Sequence, residues 1–205
     1  MTRMGIGLRG ATFLAAVCVT ATLILSGSGS GSRAAESETA IFAGGCFWCV
    51  EDAFDHVKGV TETISGYAGG TKPDPTYGSH EGYKEAVKVT YDPSKVSYAE
   101  LLDTFWHNVD PFDPRGQFCD KGPAYQSVIF TANADEKALA EKTKKEIADR
   151  FDQKVATEIV PETTFTAAED YHQNYHSVNP VSYKFYKWNC GRAQRLEQIW
   201  GPAHS

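Results

Sequence analysis

The sequence predicts a single α+β domain behind an N-terminal leader. Strand-like and helix-like segments alternate irregularly rather than in strict β-α-β order. Two long loops rich in Gly and Pro interrupt them. A chain of 205 residues, 41% hydrophobic and 12% aromatic, can build a core for one such domain without relying on disulfides.

The elements follow in chain order. Arg3 and Arg9 give a basic start, residues 11–25 are apolar and uncharged, and Ser32-Arg33-Ala34-Ala35 supplies small residues at a cleavage position. Residues 1–35 are therefore expected to be a signal peptide and residues 36–205 the mature domain, exported to the periplasm or another extracytoplasmic space. The alternative is an uncleaved membrane anchor, although the run is short for a spanning helix. An apolar segment at 40–43 leads to Gly44-Gly45-Cys46-Phe47-Trp48-Cys49, after which Val50, Phe54 and Val57 recur at helical spacing. Residues 61–64 form a strand that enters a Gly/Pro-dominated loop at 66–78. Val87, Val89 and Tyr91 alternate along a strand at 86–91. Ser97 and Glu100 have capping-box spacing ahead of a helix through Leu101, Leu102, Phe105 and Trp106. A second loop at 111–123 carries Cys119 and Asp120. A strand at 126–130 precedes a charged helix capped by Asn133, with Ala138, Ile147 and Phe151 inward. Residues 155–160 form a strand, and Thr166 and Glu169 repeat the capping-box spacing before a short helix holding His172 and His176. An aromatic and basic tail spans 183–200.

Chemistry concentrates at Cys46. Two preceding glycines permit a sharp turn, and a helix N-terminus with unpaired N–H groups favours a thiolate, so a depressed Cys46 pKa is expected. Phe47 and Trp48 can wall an apolar pocket around the sulfur. Cys46 and Cys49 form a C-x-x-C pair, readable as a redox pair or half a zinc site. Zinc lacks a nearby second ligand pair, and His172 and His176 lack the glutamate of an H-E-x-x-H helix, so a surface histidine pair is the simpler reading. Glu85 matters only if it points at Cys46, where burial would raise its pKa and make it an acid. The hydroxyls of Tyr77 and Tyr125 border loops and could donate to a developing oxyanion. Cys119 and Cys190, in an exported chain, are open to a structural disulfide. The net charge of −6 argues against nucleic acid as a partner.

Gly44-Gly45-Cys46-Phe47-Trp48, Gly66-Tyr67-Ala68-Gly69-Gly70, Pro73-Asp74-Pro75-Thr76-Tyr77, Glu85-Ala86-Val87 and Tyr125-Gln126-Ser127 together resemble the peptide-methionine (S)-S-oxide reductases, the MsrA family. The resemblance spans the mature chain and implies an α+β fold of the MsrA or ferredoxin-like type, a mixed sheet flanked by helices. It implies thiolate attack by Cys46 on the sulfoxide sulfur, with Glu85 as acid. Tyr77, Tyr125 and Asp120 would bind the polar end, and Phe47 and Trp48 the S-methyl group. A sulfenic acid on Cys46 would then condense with a second cysteine to a disulfide, reduced by an external dithiol such as thioredoxin. The resemblance implies no cofactor and no metal. The resolving candidates are Cys49, which replaces a common glycine of relatives, and Cys190, placed like the resolving cysteine in the mobile tail of many relatives. Cys49 ranks slightly first on spacing, and Cys119 behind both. Substrates would be free methionine sulfoxide or oxidised proteins, and a monomer is the default state. The rival function is an exported thiol–disulfide oxidoreductase using Cys46 and Cys49, which leaves Tyr77, Glu85 and Tyr125 without a role. A binding module with structural disulfides is the third.

Overall fold

A computed structural model describes residues 36–202. The predicted leader and residues 203–205 lie outside the described residues. In chain order the elements are β1 (Glu38–Ala43), α1 (Phe47–Asp55), β2 (Val60–Ala68), β3 (Lys84–Tyr91), α2 (Tyr98–His107), β4 (Gly116–Gln117), β5 (Asp120–Lys121), β6 (Val128–Thr131), α3 (Ala134–Phe151), β7 (Glu158–Pro161), β8 (Thr166–Ala167), α4 (Tyr175–Val178), α5 (Pro180–Asn189) and α6 (Arg192–Trp200). Two short 3-10 turns, Pro123–Tyr125 and Asp170–His172, complete the path.

Six strands form one mixed sheet in the order β7-β6-β1-β3-β2-β8. Only β6 and β7 run parallel, joined through α3, and every other pairing is antiparallel. The period-2 alternation of β1 sorts its side chains onto two faces. Ala40 and Phe42 enter the main core with Phe54, Leu101, Leu102 and Phe105 of the helices, and Ile41 and Ala43 join Ala86, Val128 and Phe130 on the opposite face. The rings of Phe42, Phe54 and Phe105 stack at 5.0–5.3 Å, pinning α1 and α2 to the centre of the sheet.

Several sequence expectations shift by a few residues, each for a local reason. The strand expected at 61–64 continues to Ala68, because β3 keeps pairing with it as far as Ala68 opposite Lys84. Gly66, expected to open a loop, is a strand residue instead: a Cβ there would meet the Thr166 carbonyl at 2.3 Å and the Phe165 ring at 2.4 Å. Its glycine serves close approach of β8, not flexibility. The loop at 111–123 folds back as the β4–β5 hairpin. In α3 the buried positions are Ala140 and Ile147, while Ala138 is exposed. Thr166 does not cap a helix; it pairs with Tyr67 in β8. His172 and His176 consequently lie on separate elements, and both are largely buried rather than solvated. The aromatic and basic tail forms α5 and α6.

At the start of α2, Ser97 Oγ accepts from the Glu100 N–H at 3.3 Å while the Glu100 carboxylate accepts from the Ser97 N–H at 2.8 Å. Ser97→Ala is expected to lower unfolding free energy by about 1 kcal/mol, read as a drop in urea midpoint with turnover unchanged.

Candidate active site

The site is built where the end of β1 turns into α1. Gly45 sits at φ +86, and a Cβ on it would lie 2.5 Å from the Gln117 side chain, so only glycine fits this turn. Gln117 is itself fully buried and ties the turn to the 110–117 loop, accepting from the Asp110 N–H at 2.7 Å and donating to its carbonyl at 2.9 Å. The turn delivers Cys46 to the N-cap position, where its carbonyl accepts from the Cys49 N–H at 3.1 Å. The next orphan donor of the helix, the Phe47 N–H, donates to Glu85 Oε2 at 3.1 Å. Glu85 comes from β3, one register position across from Tyr67, and is 1% exposed. The conditional reading of Glu85 is thereby resolved in geometry: its carboxyl sits against the first turn of the cysteine helix.

A small pocket of about 40 Å³ is lined by Cys46, Phe47, Trp48, Tyr77, Glu85, Asp120, Tyr125 and Tyr186. That is close to one water's share of liquid volume, and suits a methyl-sized group. Larger grooves exist, such as one of about 260 Å³ beside Trp106, Ile147 and Trp200, but they hold no cysteine. The structure thus brings together Cys46, Phe47, Trp48, Tyr77, Glu85, Asp120 and Tyr125 from five separate stretches of chain.

Burial pushes the Glu85 carboxyl up to about 8, opposed by the Phe47 N–H and reinforced by the Asp120 charge. It is therefore a protonated acid at neutral pH. Burial also raises the hydroxyls of Tyr77 and Tyr125, with the nearby Glu85 charge adding to it, so both remain donors. The cysteines depart from expectation. Cys46 and Cys49 are 5% and 3% exposed, and burial drives the Cys46 thiol well up despite its helix-terminal position. Cys49 is the low-pKa partner, held at about 6 by the hydrogen bond from Cys46 against its own burial, and by Arg192, Tyr183 and Lys187. Of the two thiols, Cys49 is the one whose surroundings favour the thiolate, with Arg192 and Lys187 near it.

Sequence reasoning missed three contributors. Tyr186 of α5 closes the pocket, donating its hydroxyl to Asp120 Oδ2 and meeting Trp48 edge-on at 5.9 Å. His172 accepts the Trp48 indole N–H at Nδ1, 3.2 Å away, which fixes its neutral tautomer. Glu169 accepts from the Tyr67 hydroxyl and the Tyr77 N–H, each at 3.0 Å, anchoring the loop that presents Tyr77. Only the aromatic density of the tail hinted at Tyr186. The other two depend on long-range approach of the 169–176 segment.

Cys119 and Cys190 are bonded to each other, with Cα atoms 4.8 Å apart. The Asp120 carboxylate lies beside this link, its oxygens 3.7 and 4.0 Å from the two sulfurs. The disulfide joins the hairpin that carries Asp120 to the end of the helix that carries Tyr186. Cys190, the second resolving candidate, holds no free thiol in this state, whereas Cys49 does.

The raised Glu85 pKa has a consequence for stability. A carboxyl that binds its proton more tightly folded than unfolded costs nothing below its ordinary value near 4.5, and its cost grows as pH rises towards about 8. The melting-temperature advantage of Glu85→Gln over the wild type should therefore grow between about pH 4.5 and about pH 8. A constant difference across that range would contradict the buried, neutral acid. Alkylation of Cys49 should inflect below the usual thiol range, and Cys46→Ala should move that inflection upward by removing the hydrogen bond that holds it down.

Comparison with known proteins gives the same answer from another direction. The family model described as "Peptide methionine sulfoxide reductase" matches residues 38–204. The chain is 44% identical over 186 residues to peptide methionine sulfoxide reductase MsrA 2 of Caulobacter vibrioides, covering 88% of this chain and 94% of that one. Among solved structures, methionine sulfoxide reductase A of Corynebacterium diphtheriae superimposes with a TM-score of 0.65 at 31% identity, over 74% of this chain and 78% of that chain. Mxr1 of Saccharomyces cerevisiae in complex with Trx2 superimposes with a TM-score of 0.51 at 25% identity, over 68% and 85%. With a helix-terminal cysteine facing a neutral buried carboxyl inside an aromatic cup, and with these relatives, the chain belongs to the peptide methionine sulfoxide reductase family.

Proposed function

We propose that this protein reduces the S epimer of methionine sulfoxide, free or within proteins, through Cys46. The observation that carries this is the joint placement of Cys46 and a protonated Glu85 in one methyl-sized aromatic pocket. A sulfoxide is apolar at its methyl and strongly polar at its oxygen. Phe47 and Trp48 receive the methyl, while Glu85, Tyr77 and Tyr125 face the oxygen with O–H donors. A tetrahedral sulfur bearing three different substituents can satisfy both ends in one handedness only.

The reaction balances as follows. Cys46 gives up its proton to the Cys49 thiolate and attacks the sulfoxide sulfur. Glu85 protonates the sulfoxide oxygen as charge develops there. Methionine leaves, reduced by two electrons, and the oxygen remains on Cys46 as a sulfenic acid. Cys49 then attacks that sulfur as its own proton passes to the departing hydroxyl, so that water leaves and a Cys46–Cys49 disulfide forms, and Glu85 regains its proton from solvent. An external dithiol takes up the oxidation and restores both thiols. The complex of the yeast relative with Trx2 supports a thioredoxin-like protein in that role. Export of the domain, to the periplasm or another extracytoplasmic space, is supported by the basic start and apolar run of residues 1–35; no described helix is long and apolar enough to cross a membrane.

A thiol–disulfide exchange enzyme would also use Cys46 and Cys49, but it has no need of a neutral carboxyl and two phenols beside the sulfur. Separated S and R epimers assayed with dithiothreitol distinguish the two. The wild type should reduce the S epimer only, and Cys46→Ser should abolish it. Reduction of neither epimer, with exchange on a scrambled disulfide protein, would overturn the reductase reading. Glu85→Gln should slow single turnover at neutral pH by on the order of a hundredfold, and an unchanged rate would remove Glu85 from the chemistry.

A further inference from the structure

Glu51 lies one turn beyond Trp48 on α1 and is wholly buried. Neither of its carboxylate oxygens completes a hydrogen bond, and beside it Ser65 Oγ and His176 Nδ1 are likewise unpaired. The groups that face it are the Ser65 hydroxyl, the backbone N–H groups of Asn174 and Tyr175, and His176 Nδ1 at 3.9 Å. Asp55, from the same helix, holds the far side of the His176 ring at 3.3 Å. A buried carboxylate costs far more than an apolar residue of the same volume, so its presence points to something it specifies.

What it specifies is a turn. Asn174 adopts φ +53, a conformation disfavoured for residues with a Cβ and tolerated best by Asn. The turn presents two successive N–H groups to the carboxylate, from Asn174 and from Tyr175. Tyr175 then lays its ring flat on the Trp48 indole, 3.9 Å between centroids and 11° from parallel. The same segment supplies His172, the acceptor for the indole N–H. Trp48 is thus clasped on its face and at its nitrogen by a stretch that the Glu51 side chain faces from below. Among the described residues, His172 is the acceptor that the Trp48 indole N–H meets.

We propose that Glu51 is a positioning residue for sulfoxide binding, fixing the Asn174–Tyr175 turn and through it the orientation of the Trp48 wall. It touches neither the substrate nor Cys46 chemistry. Its effect falls on how well the methyl pocket is formed before the sulfoxide arrives, not on the step that breaks the S–O bond. The proposal rests on the reductase reading for its substrate, and turnover of the S epimer by the wild type is the control that separates failure of one from failure of the other.

The test is the concentration dependence of single-turnover reduction of the S epimer, which separates apparent affinity from the rate at saturation. Glu51→Ala should raise the half-saturating concentration roughly tenfold, the scale of leaving the buried polar groups that face it with no acceptor at all. The saturating rate should stay within about twofold. Glu51→Gln, which keeps an acceptor oxygen in place, should recover most of the affinity. Adding Glu51→Ala to Tyr175→Ala should cost nothing further, because both act through one contact. Should Glu51→Ala fail to fold, the same cycle with Glu51→Gln carries the test: its smaller affinity loss should vanish in the Tyr175→Ala background. Unchanged affinity, full additivity with Tyr175→Ala, or a loss confined to the saturating rate would each overturn the proposal. A lowered melting temperature with normal affinity would show a merely structural role and overturn it as well.

Discussion

The hydrogen bond from the Phe47 N–H to the Glu85 carboxyl is the joint on which the site depends. It uses one of the unsatisfied donors that every helix start leaves over, and it spends that donor on a group from the centre of the sheet. By doing so it holds the nucleophile and the acid at a fixed separation without any residue dedicated to the purpose. The surroundings decide which form of Glu85 is held. A single N–H and the Tyr125 hydroxyl favour the carboxylate, but burial and the Asp120 charge outweigh them. An anion buried there would lack enough donors. The neutral acid is what remains, and a sulfoxide oxygen is the kind of weak base that needs it.

Around that joint the protein divides labour between two cysteine pairs. Cys46 and Cys49 are free and buried, and the surroundings favour the thiolate form on Cys49, the member near Arg192 and Lys187. Cys119 and Cys190 are bonded, and their link spans the hairpin of Asp120 and the helix of Tyr186. The first pair holds two free thiols three residues apart at the start of one helix. The second fastens together the wall that covers it. Lys187 reaches Asp52 at 2.7 Å, and Tyr183 donates to the same carboxylate at 2.6 Å, so α5 is also pinned to α1 directly. The lid over the nucleophile is therefore held by a covalent link at one end and a charged hydrogen-bond cluster at the other.

Much of this is legible in the amino-acid sequence. The Ser97 and Asn133 caps, the alternation of Val87, Val89 and Tyr91, and the helix start at Cys46 all follow from local patterns that tertiary packing does not override. Glu85 could be singled out only conditionally, because a carboxyl on a strand reveals its environment only when the opposing helix is in place. The pKa of Cys46 went the other way from expectation for the same reason: helix position is local, but burial is not, and burial outweighed the dipole. The 166–176 segment was misread because Thr166 and Glu169 have capping-box spacing whether or not a helix follows. There Thr166 pairs with Tyr67 and Glu169 with the Tyr67 hydroxyl and Tyr77 backbone, partners about a hundred residues away in the chain. Glu51 carries no local signal, and His172 reads from sequence only as half of a surface histidine pair, since the meaning of both lies in the same distant approach.

The most direct test of the central claim is the titration of the Glu85 carboxyl itself, followed by carbon NMR of the protein with labelled glutamate and assigned by Glu85→Gln. A resonance that titrates near 8, and that vanishes in the variant, would establish a neutral acid beside Cys46 at working pH. A Glu85 resonance titrating near the ordinary value of 4.5 would mean an anion in the pocket, and the acid-assisted mechanism would fall.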